Sequence, residues 1–340
     1  MAYDLSVAEA RNPLIAITVF ATIAIVFTGL RLQSRRIRRV PFASDDYLMV
    51  AALLFFLVSI VIEYVCVFEG GLGRHIKDVQ PAALVITLKL ILPIQILYAI
   101  TLCLLKSSVI CFYLRVFGDK YTFRKSAYAA IVVLVMWAIM VILEALLLCR
   151  PLAFNWDSTV PGGVCGDRNK VYISSGALNL ATDFMVIALP VPHILRLELA
   201  LRRKLGVLVI FTMGIFITII SIIRLRCIQT QVSFADPTFG LCMAIFWSTM
   251  EPCLCIINAN LPMVRAFFVD LAPRVFSSTE RGEPGVTRRS GWRGRGMSLF
   301  ESTRSGRDVE TGRNEAAAKD SQKSTTSKNS AEGMSQSEPE

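Results

Sequence analysis

Three ionisable side chains sit inside stretches that are otherwise apolar. Glu251 lies within FGLCMAIFWSTMEPCLCIINANLP, residues 239–262, and is followed directly by Pro252. Asp183 lies near the middle of the apolar block 171–195, and Arg224 near the end of the block 205–227. At the centre of a bilayer a charged side chain costs about 2.5–3.5 kcal/mol on insertion scales. Groups kept at that cost do one of two things. They pair with each other and hold helices in register, or they meet a ligand or an ion. Both readings are open here. Helical spacing enlarges the set. Trp247 or Ser248, Glu251, Cys255 and Asn258 form one stripe on the last block, and Ser175, Asn179 and Asp183 form another. Gly214, Thr218, Ser221 and Arg224 share a face, and Ser59 and Glu63 are a turn apart. Glu144 stands alone in its block; Lys89, Gln95 and Tyr98 lie toward one end of the long third block and Lys106 toward the other. The candidate polar cluster is therefore Asp183, Arg224, Glu251, Asn179, Glu63, Glu144 and Trp247.

Depth along the helices sets what this cluster can do. Asp183 and Glu251 each fall about 12 residues in from the same side, or about 18 Å at the helical rise of 1.5 Å per residue. Arg224 is expected about 10 Å nearer that side, with Glu63 and Glu144 close to its level. These positions predict a polar cavity open to the outside and floored by Asp183 and Glu251. Metal and hydrolytic chemistry are disfavoured. The chain has two histidines, and His75 and His193 belong to opposite ends of the predicted helices, so they share no metal. No serine has a histidine at its own depth to act as a base. No enzyme activity, metal or cofactor is expected.

The elements that carry these residues are legible. The chain of 340 residues is 54% hydrophobic with mean hydropathy +0.54, above the usual soluble range. Seven blocks hold the excess: 13–30, 47–67, 83–113, 126–148, 171–195, 205–227 and 239–262. Each is long enough to span a bilayer as a helix, the form that satisfies its own backbone hydrogen bonds. The fold class predicted is an all-α membrane protein, a seven-helix transmembrane bundle with a disordered cytoplasmic tail.

Lysine and arginine concentrate in 31–39 (Arg31, Arg35, Arg36, Arg38, Arg39), 115–125 and 196–204. Those loops are expected on the cytoplasmic side, with the N-terminus outside. The division predicted is a short extracellular segment 1–12, the membrane domain 13–262, an interfacial helix over 263–276, and a disordered tail over 277–340 rich in Ser, Thr, Gly and Arg. The first span is expected to serve as the targeting signal. The net charge of +10 then points to anionic inner-leaflet lipid rather than nucleic acid.

Three loop features complete the reading. Cys149 and Cys165 fall in one predicted outer loop, where a disulfide would close about 15 residues and contribute about 3 kcal/mol. Gly70, Gly71 and Gly73 predict a flexible turn. Ser44, Asp45 and Asp46 predict an N-terminal cap on the second helix.

Taken in order, these motifs resemble the rhodopsin-like seven-helix membrane proteins of filamentous ascomycetes, which include appressorium-type receptors and proteins encoded near secondary-metabolite clusters. The resemblance rests on Asp45-Asp46-Tyr47-Leu48, Gly71-Leu72-Gly73-Arg74-His75, Lys106-Ser107-Ser108, and the run from Phe112 to Phe117. It continues through Cys149-Arg150-Pro151, Trp156, Cys165, Asn179, Asp183, Pro190, Ser221 to Arg224, Trp247, Glu251 and Leu261-Pro262, covering residues 13–276. It implies a multispan membrane protein, with surface sensing in some members. A retinal pigment needs a lysine on the last helix for its Schiff base, and residues 239–262 contain none. The expected function is receptor-like sensing, without retinal, of an extracellular or membrane-borne small molecule at the plasma membrane. A cytoplasmic signalling partner would act through the inner loops and tail. A transporter or channel lined by Asp183, Arg224 and Glu251, or a scaffold working through its tail, are the other readings.

Overall fold

The computed structural model describes residues 7–118, 120–157, 159–192, 201–231 and 237–271. Seven long helices follow one another among them: α1 Ala8–Ile37, α2 Ser44–Phe68, α3 Pro81–Phe117, α4 Tyr121–Leu147, α5 Arg168–Ala188, α6 Leu201–Gln231 and α7 Pro237–Leu271. The predicted all-α, seven-helix architecture is what forms. Six of the helices contain a described stretch long and apolar enough to cross a membrane. The other, α6, contains the sixth predicted block. Most of the helices run past the apolar blocks that predicted them, because polar residues at the ends extend the hydrogen-bonded ladder; α5 instead stops at Ala188, short of the end of its block.

α4 is apolar on both faces, and its buried face is the richer in small residues. On α4, Ala127, Ala130, Leu134, Trp137 and Ala138 are buried, while Val132, Val133, Met136 and Ile139 are exposed. The buried positions repeat every three or four residues, and most are small. Small residues let helix backbones approach where lipid supplies no hydrophobic drive for association. The main core joins Ala24 of α1, Met49 and Phe56 of α2, Leu102 and Leu105 of α3, and Ile256 of α7.

Two loop or boundary expectations change. The Gly70–Gly73 turn is buried and packed rather than flexible. Thr87 Oγ1 donates to the Gly70 carbonyl at 2.9 Å. Gly73 has φ +89°, and a Cβ there would lie 2.9 Å from the Ala10 backbone, so only glycine lets the turn close on α1. Second, α7 passes through Pro262 and continues to Leu271. Residues 263–271 therefore extend α7 instead of forming a separate interfacial helix. Pro262 lacks one donor but does not end the helix. Residues 272–276, the tail 277–340 and the loop residues 193–200, His193 among them, lie outside the described residues.

The loop between α4 and α5 carries a two-stranded ribbon, β1 Cys149–Arg150 and β2 Val164–Cys165, antiparallel with Cys149 opposite Cys165. Those two cysteines are joined as a disulfide. Lys89 Nζ, near the start of α3, lies 5.6 Å from the centre of the Trp156 ring. This cation–π contact ties the loop to the bundle.

Candidate functional site

α5, α6 and α7 bring Asn179, Asp183, Ser221, Arg224 and Glu251 together, and α3 adds Tyr98 and Lys106. Glu251 is the hub and is completely buried. Its Oε1 accepts from Asn179 Nδ2 at 2.6 Å and from Ser221 Oγ at 2.8 Å. Its Oε2 accepts from Tyr98 OH at 2.8 Å, and Arg224 Nε stands 3.3 Å away in charge contact. Asp183 Oδ1 pairs with Lys106 Nζ at 2.7 Å. Ser221 Oγ lies 2.9 Å from Asp183 Oδ2 as well, so one hydroxyl bridges the two carboxylates. Lys106 Nζ also donates to Asn179 Oδ1 at 2.9 Å and Thr182 Oγ1 at 2.8 Å.

Two cations thus face two anions within a core closed to solvent. Aromatic faces complete the enclosure. The Arg224 guanidinium lies 4.8 Å from the Tyr98 ring centre, and Lys106 Nζ lies 5.4 Å from that of Trp137 on α4. Local sequence makes the approach possible. A Cβ on Gly176 would sit 2.8 Å from Leu225 Cδ1 and 3.7 Å from Arg224 Nη2, so this glycine lets α6 close on α5.

The geometry corrects the expected layout in three ways. Arg224 is in contact with Glu251 rather than a level above it, because α6 continues to Gln231 and carries Arg224 deeper. Asp183 and Glu251 are enclosed within the bundle and do not floor an open cavity, with Asp183 5% exposed and Glu251 0%. Two carboxylates and one aromatic stand apart. Glu63 on α2 accepts a hydrogen bond from Thr249 Oγ1 of α7. Glu144 lines a cavity between α4 and α5. Trp247 meets Phe246 edge-on, with ring centres 5.4 Å apart, and among the described residues it makes no hydrogen bond to the hub.

Lys106 was the residue least visible in advance. The sequence marks it only as an inner-end residue and as part of the Lys106-Ser107-Ser108 motif; its place eight positions from Tyr98, on the same helix face, was the signal that it could join the hub. A second buried cluster was missed altogether. Arg31 and Arg35 of α1 meet Asp45 and Asp46 of α2 in a four-membered lattice with side chains 1–2% exposed. Arg31 contacts Asp45 at 2.5 Å and Asp46 at 2.8 Å; Arg35 contacts them at 2.7 and 2.6 Å. The N-cap position falls on Ala43, which has no side-chain cap, instead of on the expected Ser or Asp; Asp46 accepts from the Ala43 amide at 3.1 Å, the lesser part of its role. Two of the five arginines read as loop charges are therefore bound inside the bundle. Ser108 Oγ of α3 donates to the Asp45 carbonyl at 2.6 Å, and Arg31 Nη1 donates to the Ala259 carbonyl of α7 at 3.0 Å. Asn260 Nδ2 reaches Thr28 Oγ1 at 3.0 Å, a second tie between α7 and α1. The helices α3 and α7 take part in both clusters.

A seven-helix bundle locked by intramembrane ion pairs is an integral membrane protein of rhodopsin-like architecture. The comparison with known families narrows this. The fungal rhodopsin domain matches residues 30–270, and the chain belongs to that family. It is 27% identical over 280 residues to a polyenoic acids biosynthesis gene cluster protein of Metarhizium anisopliae, covering 78% of this chain and 76% of that one. It is 33% identical over 204 residues to a SAT4 family membrane protein of Emericella nidulans, covering 59% of this chain and 51% of the relative. Receptor GIN3 of Arthrobotrys oligospora is 25% identical over 263 residues, covering 76% of this chain and 63% of the relative. The chain thus spans only about half to two-thirds of those last two relatives. No solved structure matches it.

The family's name does not carry retinal with it. α7 has no lysine from Pro237 to Leu271. Lys106, buried beside the hub on α3, already donates to Asp183, Asn179 and Thr182. The residues present do not fit a retinal Schiff base.

Proposed function

We propose that this protein is a receptor-like membrane sensor of a small molecule, without retinal and without enzymatic chemistry. One observation carries the reading: the hub at Glu251 joins α3, α5, α6 and α7 through buried ion pairs closed to solvent. A closed ion-pair core resists small displacements and rearranges between discrete states, the property a switch needs. A transport path asks instead for charges left open to a permeating species. The relatives support the same direction, since one is named a receptor. Others are named for biosynthesis clusters, which favours a small metabolite as the signal.

The site of action we infer is the plasma membrane, with the N-terminus and the disulfide loop outside. The Cys149–Cys165 bond supports that side for the α4–α5 loop, because disulfides persist in oxidising compartments. The basic inner loops, the tail and anionic inner-leaflet lipid are then the partners on the cytoplasmic side.

The test compares the wild type with Ser221→Ala, which removes the bridge between Asp183 and Glu251 while leaving every charge in place. A proximity-labelling enzyme fused to the C-terminus reads the cytoplasmic neighbours, and proteoliposomes read ion flux. The sensor reading expects a changed set of labelled neighbours and no flux in either protein. An unchanged set in a correctly folded variant overturns it, and a flux lost in Ser221→Ala assigns the charges to transport.

A further inference from the structure

Between the outer half of α4 and the start of α5 lies a shallow, open cavity of ≈ 440 Å³ along the helix surface. Met136, Met140, Leu143, Leu147 and Val171 give it an almost wholly apolar wall, and Glu144 is its one charged member. The other acidic side chains inside the bundle are enclosed by protein: Asp183 faces Lys106, Glu251 faces Arg224, and Glu63 faces Thr249. Glu144 is half-buried and faces this cavity. Its protein partner is a neutral hydroxyl, Ser175. It lies three residues before the end of α4, about 5 Å from the helix terminus. The exposed side chains around it, Met136, Ile139, Leu143 and Leu147, face the lipid.

The geometry points to a lateral binding site at Glu144 for a membrane-dissolved cationic amphiphile, its apolar body along Met136, Met140 and Leu143 and its protonated amine on the Glu144 carboxylate. Charge complementarity selects the occupant. An ordinary acyl chain fills the apolar wall but leaves the carboxylate facing hydrocarbon, and an anionic amphiphile places like charges together. A cationic head satisfies the carboxylate with a charge-assisted hydrogen bond.

The site is also connected. Ser175 is the residue whose carbonyl accepts from Trp137 Nε1, at 3.3 Å. Trp137 in turn meets the Tyr98 ring edge-on at 6.4 Å and lies under Lys106. Occupation at Glu144 is therefore linked to the Asp183–Glu251 hub through two residues, Ser175 and Trp137. This link rests on the sensor reading above; the binding site itself does not.

The experiment uses the full chain in phosphatidylcholine nanodiscs, with dodecylamine, dodecanol and dodecanoate as probes. Retained probe is counted by native mass spectrometry, and rearrangement at the hub by the rate at which N-ethylmaleimide labels Cys255. The site predicts saturable retention of dodecylamine above the other two. Glu144→Gln is expected to weaken it about tenfold or more, the scale of one lost charge-assisted hydrogen bond. Leu143→Trp, which fills the cavity without touching the carboxylate, is expected to abolish it. Retention equal for the three probes, or unchanged in both variants, overturns the site and leaves the sensor reading untouched. Saturable, Glu144-dependent retention with unchanged Cys255 labelling supports the site and counts against the sensor.

Discussion

The pair between Lys106 and Asp183 offers the sharpest perturbation. Their side chains are 4% and 5% exposed and meet at 2.7 Å. Lys106→Met leaves the Asp183 carboxylate with the Ser221 hydroxyl as its retained contact, and Asp183→Asn leaves the ammonium with neutral acceptors. Removing one partner of a buried pair costs about 3–5 kcal/mol, because a charge is left uncompensated. At about 2–4 °C per kcal/mol for a domain of this size, either single substitution lowers the unfolding temperature by on the order of 10 °C. The double variant removes both charges, so its loss should fall short of the sum of the two by about 2–3 kcal/mol. Unfolding in nanodiscs, followed by intrinsic fluorescence, measures the full cycle. Losses that add to within about 0.5 kcal/mol refute the pairing, as does a Lys106→Met variant as stable as the wild type.

Three further outcomes are expected. Gly73→Ala places a Cβ against the Ala10 backbone at positive φ and should destabilise by about 1–3 kcal/mol. Gly29→Ala has nothing within 4 Å of the new atom and should be neutral or stabilising by up to about 1 kcal/mol; the two unfolding temperatures test this together. Ser108→Ala removes one hydrogen bond to the Asp45 carbonyl and should cost about 1 kcal/mol, whereas Asp45→Asn, which strips charge from both Arg31 and Arg35, should cost several times as much in the same assay. Reducing the Cys149–Cys165 bond should lower stability by about 3 kcal/mol, read as a fall in unfolding temperature on adding a thiol.

The sequence carried the architecture because spanning a bilayer demands long apolar runs, and seven of them stand out without any knowledge of contacts. It carried Glu251, Asp183 and Arg224 because charge is conspicuous inside such runs. It could not carry their partners. Which face of α3 turns toward α5 depends on side-chain packing, so Lys106 looked like a residue of the inner end. Arg224 was misplaced in depth because α6 extends past its last apolar residue, and composition alone does not mark where a helix stops. The Arg31–Asp46 lattice was hidden for a different reason. Arginines beside a membrane span are ordinarily topological signals, and acidic residues at a helix start are ordinarily caps. The clue was the short connection from Arg38 to Ala43, which forces α1 and α2 to lie antiparallel with these four residues opposed.

One consequence follows from α7 carrying both Glu251 and, eight residues on, the Ala259 carbonyl that Arg31 grips. About 12 Å of one helix separates the two attachments, so the helix cannot slide or turn at one without loading the other. Any molecule that binds only after Arg31 releases Ala259 draws on the same helix that holds Glu251 in the hub. Thermodynamic reciprocity then fixes the sign in both directions. Binding that favours the released helix makes the hub easier to open, and opening the hub tightens that binding by the same factor.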